Sequence, residues 1–424
     1  MRQPTEANAN RASDPSTPSR RHELFGPGLV ERVCFFYLPR LLFLSYLGLA
    51  AMGLAQMSAQ THTKKSLAPD FVLPWAASSL ALSGHPQDVY VQDKQWAAEK
   101  AAAHSPDLGY TNWPYPPTYL VVALPTSLIP YRWSLLIWLT ATLTAFCFVI
   151  WEIVPDPDAL WIALAFPGTA LNALAGQNGF LTTALFGAGL LLLTKKPVRA
   201  GVMFGLLTFK PQLGLLVPLV LIATRRWRAI AAAALTAIAF AAVSLMMFGV
   251  GTWAAFLHGL SESSRLLNNG QMGWGKIQSV FGGARLLGFG SGSAYSVQVI
   301  AALVSATIAV IVWRSHRVPF AIKAAALVTA TLLVTPYVAD YDFVLLALPI
   351  AWMARDGAQN GFLPWEKPIL LMTWLLPLFV RWLALTASIP LAPIVIAILL
   401  ACIARRAAFL SRERQNITQT STEN

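Results

Sequence analysis

Asp70 is the carboxylate whose position suggests catalysis. It follows the first long apolar run of the chain, Leu41 to Ala59, and lies in the segment SLAPDFVLPWAA. A carboxylate at the outer edge of a membrane can accept a proton from the hydroxyl of an acceptor substrate. The same residue type also commonly caps the N-terminus of a following helix. The local sequence is compatible with both interpretations.

Lys210 is the basic residue with the most unusual position, because it interrupts the apolar segment GLLTFKPQLGLL. An ionisable side chain inside a membrane span costs about 2.5–3.5 kcal/mol on insertion scales, and it often marks a functional site. One interpretation is that its ammonium binds the phosphate of a lipid substrate. The alternative is that it snorkels or neutralises a nearby carboxylate.

Further polar and aromatic residues recur near the predicted external ends of successive apolar segments. They are Tyr115 in WPYPP, Gln177 and Asn178 in GQN, Lys276, Gln278 and Arg285 in GWGKIQSVFGGARLLG, and Tyr341 and Asp342 in PYVADYD. Such residues favour turns and caps, so any one of them has a structural explanation. Their recurrence in one layer predicts that they line a common substrate cavity.

The composition excludes several classes of protein. Only 12% of the 424 residues are charged, 56% are hydrophobic, and the mean hydropathy is +0.56, whereas soluble proteins have roughly 25% charged residues. A cytosolic enzyme, a disordered protein and a soluble nucleic-acid binder are therefore excluded, and no nucleic-acid partner is expected. The six histidines and three cysteines show no metal-ligand spacing, and neither a metal nor another cofactor is predicted.

The apolar segments predict an all-α polytopic membrane protein with about 10–12 transmembrane or re-entrant helices. We divide it into a disordered cytoplasmic tail over 1–33, a membrane catalytic domain over 34–404 with a long external loop at 60–115, and a cytoplasmic tail over 405–424. Six arginines precede the first span, which predicts a cytoplasmic N-terminus. The charges after Arg225 alternate as expected and predict a cytoplasmic C-terminus.

The charge pattern is inconsistent between the first span and Arg225. The segment EIVPDPD at 152–158 has three acids and no base and is predicted to be external, whereas KKPVR at 195–199 is predicted to be internal. Two apolar segments lie between them. We therefore predict that 159–177 is a re-entrant pair or a half-span, and that 200–223 is a hairpin turning at Lys210-Pro211. Irregular backbone at membrane depth needs surrounding protein or a water-filled cavity, so these breaks indicate a site.

The motifs together resemble glycosyltransferase family 87 over about residues 35–355. The resemblance depends on the order and spacing of Asp70, Gly84-His85-Pro86, Tyr115-Pro116-Pro117, Gly176-Gln177-Asn178, Ala200-Gly201, Lys210-Pro211 and the late element from Pro336 to Asp342. Many members have His-Asp in the late element, where this chain has Tyr341-Asp342. A role for imidazole therefore does not transfer to this chain.

The resemblance implies a type-C glycosyltransferase fold and an inverting transfer of a mannose-like or pentose sugar. The donor would be a polyprenyl-phosphate-linked sugar and the acceptor a lipid or glycan, among the lipids of the bacterial cytoplasmic membrane and at its periplasmic face. Asp70 would be the general base. Lys210, with Lys276 or Arg285, would stabilise the leaving lipid phosphate, and the other candidate residues would bind substrate.

Two other functions remain open at this point. A secondary transporter or lipid flippase also has broken helices, but such proteins commonly have two related halves, and this chain shows no internal repeat. A lipid-linked glycan ligase or polymerase has the same topology and chemistry, and differs in transferring a preassembled glycan.

Overall fold

The computed structural model describes residues 36–59, 68–271 and 273–422, and this part of the chain is helical without any β-strand. The α-helices are α1 (Leu38–Ala59), α2 (Val72–Leu82), α3 (Gln92–Ala103), α4 (Pro117–Ala123), α5 (Tyr131–Ile153), α6 (Pro157–Leu164), α7 (Pro167–Ala175), α8 (Gly179–Leu192), α9 (Pro197–Leu206), α10 (Leu216–Ala223), α11 (Trp227–Asn268), α12 (Val280–Leu286), α13 (Ser291–Arg314), α14 (Phe320–Val334), α15 (Ala347–Asn360), α16 (Glu366–Ala387) and α17 (Leu391–Thr422). Short 3₁₀ helices lie at Pro86–Tyr90, Leu124–Leu128, Leu207–Phe209, Pro211–Leu213 and Asp340–Leu346.

Five helices of the described chain are long and apolar enough to cross a membrane: α5, α11, α13, α16 and α17. The pair α6 and α7 passes the same test together, although the two helices are bent by 54°. The other apolar helices are shorter. The predicted all-α, polytopic architecture is thus confirmed, and the chain is a multi-pass membrane protein.

Ion pairs and hydrogen bonds identify two polar ends of the bundle. At one end, which we call the arginine end, Arg40 pairs with Asp158 at 2.7 Å, and an Arg355 Nη donates to the carbonyl of Ile153 at 2.7 Å. Arg406 is buried at the same end, between Asp356 and Glu366. The opposite end holds Asp70 and most of the candidate residues, and we call it the Asp70 end.

The EIVPDPD segment lies at the arginine end, beside Arg40, which precedes the first span and is predicted to be cytoplasmic. The external position predicted for EIVPDPD and the cytoplasmic position predicted for Arg40 are therefore inconsistent with each other. The acids have local partners: Asp158 pairs with Arg40, and the Asp156 side chain caps α6 by accepting from the Asp158 N–H at 2.7 Å. Helices α6 and α7 lead from this end to Ala175, whose carbonyl accepts from the Asp70 N–H at 3.2 Å. The bent pair therefore joins the arginine end to the Asp70 end.

The apolar run at 116–130 does not cross the bundle. It begins near Tyr115, whose hydroxyl donates to Gln177 Oε1 at 3.4 Å, and it ends at Ile129, whose carbonyl accepts from Trp75 Nε1 at 3.4 Å. Both contacts lie at the Asp70 end, so α4 and the following 3₁₀ helix form a short excursion there. Trp75 belongs to α2, which has 11 residues and is too short to span a bilayer.

The hairpin predicted at 200–223 is confirmed. Helix α9 leads to Lys210 at the Asp70 end, and α10 leads away from it, with a 3₁₀ helix on each side of the turn. Pro211 lacks an N–H, so the helix cannot continue through it. Gly205 allows α9 to approach α11 closely, because a Cβ there would lie 2.6 Å from the Ala233 carbonyl oxygen.

Helix α11 spans 42 residues, or about 63 Å at 1.5 Å per residue, which is twice the thickness of a bilayer core. It is broken at Gly249, where φ is 78° and ψ is 167°, a conformation open mainly to glycine. The part after this break packs on the 68–115 region. The rings of Tyr90 and Phe256 are 5.8 Å apart, and Asn112 Nδ2 donates to Ser263 Oγ at 2.8 Å.

Helix α14 lies at the centre of the bundle, and eleven of its 15 residues are buried. Its end determines where the late motif lies. The chain leaves α14 at Val334 and enters the segment 336–342 at the Asp70 end, directly beside the segment 273–279.

Candidate active site

Asp70 lies in a partly open position with two polar partners. Its Oδ2 atom accepts from Lys276 Nζ at 2.8 Å and from Gln177 Nε2 at 3.1 Å. The side chain of Asp70 is 14% exposed and that of Lys276 is 31% exposed. The alternative that Asp70 caps the next helix is wrong, since Phe71 occupies the N-cap position of α2 without a side-chain cap bond. The carboxylate is thus available to a substrate.

The GQN turn approaches Asp70 because its first residue is glycine. Gly176 ends α7 with φ at 71°, and a Cβ there would lie 2.7 Å from Phe71 Cβ and 2.8 Å from Ala68 Cβ. A side chain at this position would separate the turn from the Asp70 segment. Gly176 therefore brings Gln177 to Asp70.

Beneath this pair, Lys210 and Asp342 form a second ion pair that is fully buried. Their side chains are 1% and 0% exposed, and Lys210 Nζ lies 2.5 Å from Asp342 Oδ1. The ammonium also donates to Asn178 Oδ1 at 3.0 Å and lies 4.9 Å from the centre of the Tyr341 ring. The other Asp342 oxygen accepts from the Ala339 N–H at 3.1 Å. This geometry matches the alternative in which Lys210 neutralises a carboxylate.

Lys276 reaches the site through backbone pairing of two loops. The Gln278 N–H donates to the Val338 carbonyl at 2.8 Å, and the Asp340 N–H donates to the Lys276 carbonyl at 3.1 Å. The Gln278 side chain is buried and donates to the Gly275 carbonyl at 2.7 Å. Gln278 therefore stabilises the loop that presents Lys276, and its amide is not open to a substrate.

Two tyrosines line the space between the ion pairs. Tyr115 and Tyr341 are buried, and Lys276 Nζ lies 5.7 Å from the centre of the Tyr341 ring. Burial raises the pKa of both hydroxyls well above the ordinary value of 10.0. Both groups therefore stay protonated at physiological pH and can donate hydrogen bonds.

Arg285 lies apart from the other candidates. Its guanidinium donates to the carbonyls of Phe289 at 2.7 Å and Asn268 at 3.0 Å, and it lies 5.2 Å from the Trp274 ring. No hydrogen bond or ion pair of the described residues joins it to Asp70 or Lys276. Its contacts secure the loop around α12.

The structure adds two residues that the sequence analysis did not select. Arg381 of α16 pairs with Asp340 through Nε at 2.7 Å. Burial raises the pKa of Asp340, while the neighbouring Arg381 and Lys276 oppose this effect. The signal in the sequence is a lone arginine in the apolar run LLPLFVRWLALTA.

The described residues contain no group of three or more His, Cys, Asp or Glu side chains arranged to hold a metal ion. The polar site therefore consists of two carboxylate–lysine pairs, one carboxylate–arginine pair, amides and two tyrosines.

The comparison with protein families identifies the chain. The model of glycosyltransferase family 87 matches residues 113–336, which is more than half of the 424 residues. The chain belongs to glycosyltransferase family 87. It is therefore a membrane glycosyltransferase. No curated protein and no solved structure matches the chain. The matched range includes Lys210 and Lys276, whereas Asp70, Asp342 and Arg381 lie outside it.

Proposed function

We propose that this glycosyltransferase transfers a mannose-like or pentose sugar from a polyprenyl-phosphate donor to a hydroxyl of a lipid or glycan acceptor, with inversion. The observation that carries the proposal is the partly exposed Asp70 carboxylate, held by Lys276 and Gln177 at one end of the bundle. A carboxylate next to an ammonium suits a reaction that removes a proton and releases a phosphate.

The proposed step uses both groups. Asp70 accepts the proton of the acceptor hydroxyl, and the resulting oxygen attacks the anomeric carbon from the face opposite the phosphate. The bond between the anomeric carbon and the phosphate oxygen breaks, and the polyprenyl phosphate leaves with the electron pair. Lys276 is the exposed cation that stabilises this anion. The buried Lys210–Asp342 pair holds the floor of the site.

The charge distribution supports a periplasmic orientation of the site. Arg40, Arg355 and Arg406 gather at the end opposite Asp70. The positive-inside rule assigns such an end to the cytoplasm. We therefore place Asp70 at the periplasmic face of the cytoplasmic membrane, where a sugar linked to a polyprenyl phosphate can be supplied from the bilayer.

The substitution Asp70→Asn tests the mechanism. Without a base, transfer from a synthetic polyprenyl-phosphate sugar should fall by a factor on the order of 10²–10⁴, measured with purified enzyme in lipid nanodiscs. Asp88→Asn is the matched control, because Asp88 also pairs with a lysine, Lys94 at 2.9 Å, outside the site. Full activity of the Asp70→Asn enzyme would exclude Asp70 as the base.

The mass of the product separates a transferase from a lipid-linked glycan ligase. We expect the acceptor to gain a single sugar residue. Transfer of a preassembled glycan would identify a ligase, and uptake of labelled donor into vesicles without any product would identify a transporter.

A further inference from the structure

Arg381 is a charged residue within the apolar helix α16, where its transfer from water is energetically unfavourable. After Glu366 and Lys367 at its start, it is the single charged residue of this helix, and it is 50% exposed. Neighbouring side chains on the same helix are exposed and apolar: Leu378, Phe379, Trp382 and Leu385. These residues form a surface suited to lipid, where an ionisable side chain is by default a functional residue.

Asp340 holds one side of the Arg381 guanidinium. The Arg381 Nε atom lies 2.7 Å from Asp340 Oδ2. This contact is an ion pair without a hydrogen bond, because Asp340 Oδ2 has no hydrogen-bond partner among the described residues. Asp340 is only 4% exposed. A guanidinium has five N–H donors arranged in a planar fork. Pairing through Nε leaves the two terminal NH₂ groups for another anion, and a phosphate is the ligand that such a fork binds well.

Asp340 connects Arg381 to the loop that carries Lys276. The Asp340 N–H bonds to the Lys276 carbonyl. In addition, a Cβ built on Gly275 would lie 2.7 Å from the side chain of Leu385, one helical turn beyond Arg381. The end of α16 is therefore packed against the loop that presents Lys276 to Asp70. One face of this arrangement is open to lipid and the other adjoins the candidate base.

We propose that Arg381 binds the phosphate of the lipid-linked sugar donor as it enters from the bilayer. This inference rests on the proposed function, since it assigns that donor a binding residue and an entry route. Arg381 and Lys276 then bind the phosphodiester from two sides, and the anomeric carbon is directed toward Asp70. Asp340 is a positioning residue whose charge holds the guanidinium beside the loop that carries Lys276.

Donor kinetics provide the first test. Arg381→Gln should raise the KM for a polyprenyl-phosphate sugar about tenfold or more, since a charge-assisted hydrogen bond is lost, and should leave the acceptor KM unchanged. Arg381→Lys should lie between this variant and the wild type. Arg265→Gln is the matched control, because Arg265 also pairs with an acid at 2.7 Å but lies on an exposed face of α11.

Chemical protection tests the wild-type enzyme without any substitution. Phenylglyoxal should modify Arg381, which peptide mass spectrometry can detect, and polyprenyl phosphate should protect it. Polyprenol without phosphate, and vesicles of phosphatidylglycerol, should not protect it. This measurement decides the question even where Arg381→Gln fails to fold.

The outcomes distinguish the inference from the proposed function. A wild-type enzyme that does not use polyprenyl-phosphate sugars contradicts the proposed function itself. A wild-type enzyme that uses them, with an unchanged donor KM in Arg381→Gln or no protection of Arg381, overturns only the role of Arg381. Equal protection by phosphatidylglycerol would also overturn it, and would identify Arg381 as an anchor for ordinary lipid headgroups.

Discussion

Asp70 and Lys276 are separated by 206 positions in the chain, yet they form the partly exposed ion pair of the site. The sequence analysis selected both residues from their local surroundings, Asp70 from the first apolar span and Lys276 from a polar loop. No local feature of the sequence predicts that these two residues form an ion pair. The sequence indicates a phosphate-binding role for Lys210, because the apolar residues around it predict a position at membrane depth. The sequence does not show that Asp342, 132 positions away, is the buried partner of this lysine.

We expect the buried Lys210–Asp342 pair to affect stability in a way that can be measured separately from catalysis. Lys210→Met should destabilise the protein by about 3–5 kcal/mol, because it leaves the Asp342 charge buried without a counterion. The double variant Lys210→Met with Asp342→Asn should recover much of this loss, since the amide is neutral and still accepts from Ala339. Thermal unfolding in detergent measures both effects.

Lys195→Met is the control for this experiment, because Lys195 is exposed and its replacement should not change the unfolding temperature. A Lys210→Met enzyme with wild-type stability and a strongly raised donor KM would instead support the phosphate-binding interpretation of Lys210.

At the scale of elements, the breaks in the helices position the site. The hairpin turn at Lys210-Pro211 was predictable, because proline ends a helix by local geometry. The sequence predicts a break between α6 and α7, but it does not predict the direction of the 54° bend between the two helices. The break of α11 at Gly249 was not predicted, because the sequence on both sides of this glycine remains compatible with a helix. Its consequence is that the second half of α11 covers the 68–115 region.

Glu99 predicts how the stability of the 68–115 region depends on pH. The Glu99 side chain is fully buried on α3, and its Oε1 atom accepts a hydrogen bond from Gln95 Nε2 at 3.1 Å. Burial raises the pKa of Glu99 from the ordinary 4.5 to about 7. The folded protein thus binds a proton more tightly than the unfolded chain does. The contribution of Glu99 to the free energy of unfolding is therefore complete below pH 4.5, and it is lost as the pH rises through about 7.

Glu99→Gln should remove this dependence and stabilise the protein by about 1–3 kcal/mol at pH 8. Unfolding temperatures of both proteins between pH 5 and pH 8 provide the measurement. Asp93→Asn on the same helix is the control, as Asp93 is exposed. The same pH slope in the wild type and Glu99→Gln would contradict the assignment.

At the scale of the whole molecule, the arginine end and the Asp70 end give a topology that can be tested by labelling. In a background with serine at Cys34, Cys147 and Cys402, Glu152→Cys should be shielded from an impermeant maleimide in intact spheroplasts and labelled after permeabilisation. His104→Cys should be labelled in both conditions. Labelling of Glu152→Cys in intact spheroplasts would restore the external position first predicted for EIVPDPD.

The sequence alone determined the class of this protein and the order of its helical segments. Hydropathy and proline positions are local properties, so the all-α membrane architecture and the hairpin could be predicted, as could the family from the order of its motifs. The sequence also supplied most members of the site.

Only the tertiary structure decided which charges meet and which remain open to a substrate. Lys276 pairs with Asp70 in a partly exposed position, Lys210 with Asp342 in a buried one, and Arg381 with Asp340 at the surface of α16. Each pair joins segments that are distant in the chain. The energy of an ionic contact depends on distance and burial, and both are established only when the helices pack.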